Sequence, residues 1–152
     1  MSQSLIAKVE SGRIDPAYSK ARKILETLES VSREAGLKAS DIMHKKVIYV
    51  SPDDDVKHAV AKMKKYEISQ LPVLRGNDVV GLVSEASILD ALMAGKHGKV
   101  SDVMQESPAI VNSKTSVQAL STLFRYSPVV LVSKKGRIIG LISKADLIRE
   151  IV

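Results

Sequence analysis

The sequence predicts an α+β chain in which one small unit is built twice, and three observations carry this. Gly81-Leu-Val-Ser84-Glu-Ala-Ser87 returns as Gly140-Leu-Ile-Ser143-Lys-Ala-Asp146, and Asp41-Ile-Met43 returns as Asp102-Val-Met104. Each Gly-x-x-Ser copy closes a block of roughly fifty to sixty residues, a period that marks a repeated supersecondary unit. Within each block, short β-branched runs bounded by turn residues alternate with amphipathic stretches, the pattern of strands and helices together.

Residues 3–11 and 17–29 read as two short helices. In the second, Ala21, Ile24, Leu25 and Leu28 recur at helical spacing behind Asp15-Pro16, a cap followed by proline at the first helical position. Residues 1–38 form this N-terminal segment and a polar linker, 39–93 the first repeat, 94–99 a linker containing Gly95 and Gly98, and 100–152 the second repeat. In the first repeat Val47–Val50 reads as a strand and Val56–Tyr66 as an amphipathic helix. Leu71–Leu74 and Val79–Val83 form a hairpin about Arg75-Gly76-Asn77-Asp78, and Glu85–Met93 is the closing helix. The second repeat gives Ala109–Val111, Val117–Arg125, Val129–Val132 with Ile138–Ile142 about Lys134-Lys135-Gly136, and Lys144–Ile151. Asp53-Asp54-Asp55 reads as the acidic cap of the helix that follows it rather than as a cation site.

The core must be aliphatic, because hydrophobic residues make up 45% of the chain and aromatics only 3%. Cysteine is absent, which excludes disulfides, thiolate metal sites and cysteine nucleophiles. No apolar run reaches the ~18 residues that span a bilayer, so a cytoplasmic protein without a membrane partner is expected. The net charge of +6 permits a polyanionic partner, yet the basic residues are spread: seven Lys/Arg against five Asp/Glu in 1–38. Lys62, Lys64 and Lys65 read as a solvated helix face.

Chemistry concentrates where a strand hands over to a helix at each Gly-x-x-Ser segment. Glycine there lets another group approach the backbone, and a helix start offers N–H groups that suit a phosphate. Ser143 can donate to a phosphate or sugar; Asp146 can accept from both hydroxyls of a ribose. Ser143-Lys-Ala-Asp146 is equally a capping box whose side chains satisfy the helix start. The first copy has Ser87 where the second has Asp146. A hydroxyl cannot accept two charge-assisted hydrogen bonds from a ribose as a carboxylate does, so the two clefts are expected to be unequal.

Residues 39–93 and 100–152 resemble a tandem pair of CBS domains, the Bateman module. The resemblance is carried by Asp41-Ile-Met43, Ser51-Pro52 before a helix, Ile68-Ser69-Gln-Leu-Pro72-Val73, and both Gly-x-x-Ser segments. It implies β-α-β-β-α repeats packed about a pseudo-twofold axis, two clefts, a homodimer, and an adenosine-containing ligand such as AMP, ADP, ATP or S-adenosylmethionine, with no cofactor required. It also implies clefts built crosswise. The main one takes Leu141, Ser143, Ala145 and Asp146 with Met43, Lys46, Ile48, Ile68 and Ser69. Asp146 would hold the ribose, Ser143 the ribose or phosphate, Lys46 the phosphate, and Met43, Ile48 and Ile68 the adenine. The weaker cleft takes Leu82, Ser84, Ala86 and Ser87 with Met104, Ser107 and Ala109; here Leu131 replaces Pro72.

Residues 2–16 are similar to the recognition helix and following turn of repressor-type (Xre-like) helix-turn-helix domains, and 17–29 to the next helix. Ser2, Gln3, Ser4, Lys8 and Arg13 are the DNA-contact candidates, since Gln can pair bidentately with adenine. The two helices that precede this motif in the family do not precede it here. DNA reading is therefore expected only from a longer form extending upstream of Met1. His44, His58 and His97 lack ligand spacing, and no phosphate loop, dinucleotide fingerprint or paired nucleophile and base occurs. The expectation is a non-enzymatic regulator that senses an adenine nucleotide and controls an attached or partner DNA-binding domain. The alternative is a free-standing adenosyl-ligand sensor acting on a separate protein.

Overall fold

In the computed structural model of the chain, the structure describes residues 20, 22–24, 26, 36–96 and 98–151. Residues 20, 22–24 and 26 are helical, and Arg22 pairs with Glu26 one turn on at 3.2 Å. The rest of the expected 17–29 helix, the 3–11 helix and all five DNA-contact candidates lie outside the described residues. The elements are α1 (Ala39–Ile42), α2 (Val56–Tyr66), β1 (Gln70–Arg75), β2 (Asp78–Ser84) and α3 (Glu85–Met93), then α4 (Val100–Val103), β3 (Ala109–Asn112), α5 (Val117–Leu123), β4 (Val129–Lys134), β5 (Arg137–Ser143) and α6 (Lys144–Ile151).

Two hairpins, β1–β2 and β4–β5, form the centres of the repeats, each antiparallel and each with a bulge at the same place, after Val73 and after Val132. In the second repeat β3 adds in parallel to β4 over four residue pairs. The expected first-repeat strand Val47–Val50 is reduced to a single parallel bridge between Val50 and Val73. Proline explains the difference. Val50 donates to the Pro72 carbonyl at 3.1 Å and accepts from Leu74 at 2.9 Å, but the next bond toward Ile48 needs an N–H at residue 72. Leu131, at the matching place in β4, has that N–H, and pairing there runs on to Ala109.

The amphipathic helix Val56–Tyr66 forms as expected, burying Val56, Ala59 and Met63 and ending at Glu67 in the left-handed conformation (φ 54°). The expected helix Val117–Arg125 stops at Leu123. Arg125 and Tyr126 donate three residues back, to Thr122 and Leu123, so its end tightens into a turn. The acidic cap is corrected in detail. Asp55 is the N-cap of α2 but makes no side-chain cap; Asp54 instead accepts from the Ser51 N–H at 2.8 Å.

Each repeat's leading helix docks on the other repeat. Val100 and Ser101 donate to Asp54 and Pro52 (2.8 and 3.0 Å), while Ala39 and Ser40 donate to Thr115 and Ser113 (2.8 and 3.1 Å). The α2 start donates from Val56 to Gly98 at 2.8 Å, and the α5 start donates from Val117 to Leu37 at 3.1 Å. These matched pairs are the pseudo-twofold relation written in hydrogen bonds, and they satisfy helix-start N–H groups that would otherwise be orphaned. The repeated aspartates have a local duty: Asp41 and Asp102 accept from the N–H groups of Lys38 and Lys99 and so cap α1 and α4.

The cores cross in the same way. Val100 and Val103 of α4 join Val50, Ala59, Leu71, Val73 and Val83, whereas Ala39 and Ile42 of α1 join Val117, Leu120, Val130, Val132 and Ile142. Each fully buried Val or Leu contributes about 1.5–3 kcal/mol. That energy ties the two repeats together, because each core is completed from the other half.

Candidate functional site

The handover from β5 to α6 places Ser143 and Asp146 on the cleft between the repeats. Asp146 is 5% exposed. Its Oδ2 accepts from the Ser143 N–H at 2.7 Å and the Ser143 hydroxyl at 3.0 Å, and its own N–H points back to Ser143 Oγ at 3.4 Å. The capping-box reading of these residues therefore holds in full. Its Oδ1 faces the first repeat: His44 Nε2 lies 2.7 Å away, and Arg149 Nη2, one turn along α6, lies 3.0 Å away.

His44 is held by its backbone, which exchanges hydrogen bonds of 2.9 and 3.0 Å with Leu141 of β5. This bridge continues from Met43, the C-cap of α1, whose side chain lies directly over Gly140. The group that approaches the glycine is thus a methionine side chain. Met43 packs on the second repeat's core, while Ile48 and Ile68 pack on the first repeat's core. The structure therefore brings Met43 and His44 of the first repeat against Gly140, Leu141 and Asp146 of the second, with Ser143 bonded to Asp146, while Ile48 and Ile68 pack on the first repeat's core. Lys46 is exposed, with its ammonium 5.5 Å from the centre of the Tyr66 ring. Ser69 is exposed and its carbonyl accepts from Glu85 at 3.0 Å, binding the start of α3; Ala145 is exposed on the first turn of α6. Sequence alone does not pair His44 with Asp146, because the two are 102 residues apart and no spacing rule links them.

The mirror cleft repeats the backbone without the charge. Gln105 pairs with Leu82 as His44 pairs with Leu141, at 3.1 and 2.8 Å, and Met104 covers Gly81 as Met43 covers Gly140. Ser87, 5% exposed, closes a capping box with Ser84: the Ser84 N–H donates to Ser87 Oγ at 2.9 Å, and the Ser87 N–H donates to Ser84 Oγ at 3.0 Å. Its hydroxyl proton goes to the Ser84 carbonyl at 3.1 Å, so the side chain is used up locally. Ser107 donates to the Val79 carbonyl at 3.1 Å, Ala109 donates to Ser127 Oγ at 3.2 Å, and Ala86 is exposed. The residue at the Asp146 position is therefore neutral in this cleft, and the acid of that helix turn is the exposed Glu85.

A cavity of about 260 Å³ lies between the 45–49 segment and both hairpins, lined among others by Lys45, Val47, Tyr49, Asn77 and Ile138. No helix among the described residues is long and apolar enough to cross a membrane.

A family model described as the CBS domain matches residues 39–94 and 100–152. Among known proteins the chain is similar to an inosine-5'-monophosphate dehydrogenase of Methanocaldococcus jannaschii, 34% identical over 123 residues, 77% of this chain and 24% of the dehydrogenase. It is also similar to the zinc metalloprotease MJ0392 of the same organism, 30% identical over 113 residues, 74% of this chain and 32% of the protease. It thus spans less than half the length of either relative. Among solved structures it resembles CBSX2 in complex with AMP, with a TM-score of 0.63 and 23% identity over 74% of this chain and 93% of that one. It resembles as well the CBS domain pair of protein MJ0100 in complex with 5'-methylthioadenosine and S-adenosyl-L-methionine, with a TM-score of 0.68 and 20% identity over 74% and 94%. Two consecutive family matches covering most of its length, on a fold whose halves complete each other's cores, establish that the chain belongs to the CBS-domain family.

Proposed function

We propose that the chain is a non-enzymatic regulatory module that senses an adenosine-containing ligand in the cleft at Asp146. The observation that carries this reading is a carboxylate 5% exposed at the start of α6 that meets the opposite repeat at 2.7 Å. A ligand held there touches both halves, so its binding energy favours one arrangement of the repeats over others. Asp146 accepts from the ribose and Ser143 donates to ribose or phosphate. Met43, Ile48 and Ile68 shelter the adenine, with Leu141, Ala145, Lys46 and Ser69 around them. The cleft of Leu82, Ser84, Ala86, Ser87, Met104, Ser107 and Ala109 binds weakly or not at all, for want of a carboxylate. Similar structures bound to AMP and to S-adenosyl-L-methionine support the ligand class.

The output is control of a DNA-binding domain, attached or separate; the resemblance of residues 2–16 to a recognition helix supports this over regulation of another kind of partner. The module works as a homodimer. A groove between α2 and α3, lined by Val60, Met63, Ile88, Leu89 and Leu92, supports that reading.

A thermal-shift panel of AMP, ADP, ATP, S-adenosylmethionine and NAD on wild type and Asp146→Ala tests the ligand reading. A ligand at about one hundred times its Kd stabilises the fold by about 2.7 kcal/mol. No shift with any compound, or an undiminished shift in Asp146→Ala, refutes it.

A further inference from the structure

The Asp146 carboxylate is already full. An ionised carboxylate offers about four lone-pair positions, and four donors surround this one: Ser143 N–H and hydroxyl on Oδ2, His44 and Arg149 on Oδ1. The two oxygens differ in how firmly they are held. The Ser143 donors are local to the strand-to-helix turn, and breaking them would uncap α6. His44 and Arg149 sit on side chains 55% and 69% exposed, free to turn into solvent. A sugar hydroxyl therefore reaches Asp146 only at Oδ1, and only by taking the place of one of these donors.

We propose that His44 is the donor that gives way and so gates the site: its imidazole is the internal stand-in for a ligand hydroxyl and swings away as a ligand binds. The proposal rests on the adenosine-ligand reading above. Asp146 is an acceptor, so His44 Nε2 carries the hydrogen of this bond, as a ribose hydroxyl would. The His44 backbone remains paired to Leu141 while the ring leaves, so the exchange costs no strand contact. It replaces a bond between the repeats with a bond to ligand, which makes His44 the point where occupancy is felt by the first repeat. In the mirror cleft Gln105 pairs with Leu82 as His44 pairs with Leu141, but Ser87 replaces the carboxylate, so the gate exists only where the carboxylate does.

The test is calorimetric titration of AMP and of S-adenosylmethionine into full-length wild type, His44→Ala and His44→Gln, with ring resonances of His44 followed by NMR in wild type. Removing the competitor in His44→Ala tightens binding by about three- to tenfold, the worth of a modest hydrogen bond. His44→Gln, which restores an N–H donor, stays within about twofold of wild type on the same grounds. In wild type the Nε2–H signal bonded to Asp146 disappears at saturation. Equal or weaker binding by His44→Ala while wild type binds overturns the gate and leaves the adenosine reading standing. So does a His44–Asp146 signal that persists in the saturated complex, whether or not the alanine variant folds. If none of the three proteins binds either compound, the adenosine reading falls and the gate with it.

Discussion

Met43 and Gly140 are a knob and its hole. A Cβ added at residue 140 would fall inside the Met43 side chain, so the glycine that opens the repeated motif is required by a neighbour from the other half of the chain. Gly140→Ala is expected to destabilise the fold by about 1–3 kcal/mol through overpacking. In a double-mutant cycle with Met43→Ala, read by chemical denaturation, the two effects fall short of additivity, because truncating Met43 removes the Sδ and Cγ that crowd the added methyl most closely.

Pro72 stands where the first repeat's outer strand stops. Pro72→Leu supplies the missing N–H, so parallel pairing is expected to extend from Val50 to Ile48. Hydrogen exchange followed by NMR checks this: the new amide at residue 72 is expected to exchange slowly, whereas an amide as fast as those in exposed turns contradicts the account. Net stability changes by less than about 1 kcal/mol, since losing proline frees the unfolded chain while the strand gains a bond.

The unequal clefts predict unequal mutants. Asp146→Ala removes the cap of α6 together with the cross-repeat bond to His44, and is expected to cost about 1–3 kcal/mol and abolish ligand-induced stabilisation. Ser87→Ala loses the two hydrogen bonds of the Ser87 hydroxyl, both to the Ser84 backbone, and is expected to cost about 1 kcal/mol with the ligand response unchanged. Melting curves with and without AMP separate the two. A response lost in Ser87→Ala would place the ligand in the other cleft.

Leu89, Leu92 and Met93 leave an apolar face on α3, with Leu89 57% exposed. Leu89→Asp with Leu92→Asp is expected to convert a dimer to a monomer in light scattering while leaving the melting temperature of the monomeric unit within a few degrees, as charges on an exposed face cost little. A wild type that is monomeric at all concentrations tried would refute the pairing.

The amino-acid sequence by itself determined the duplication, the two hairpins with their turns, the helices that follow them and the family, because these depend on local periodicity, turn chemistry and repeated short motifs. Val56–Tyr66, Glu85–Met93 and Lys144–Ile151 are the expected helices to the residue. The asymmetry between Asp146 and Ser87 was legible in the same way. Only the tertiary structure decided that Met43 fills the space over Gly140, that Pro72 cuts the first outer strand to one bridge, and that His44 occupies Asp146. Each is a contact between groups distant in the chain, and no spacing rule encodes it. The physical reason lies in the crossed packing: each repeat's leading helix completes the other's core, so the surroundings of a residue are set by the half to which it does not belong.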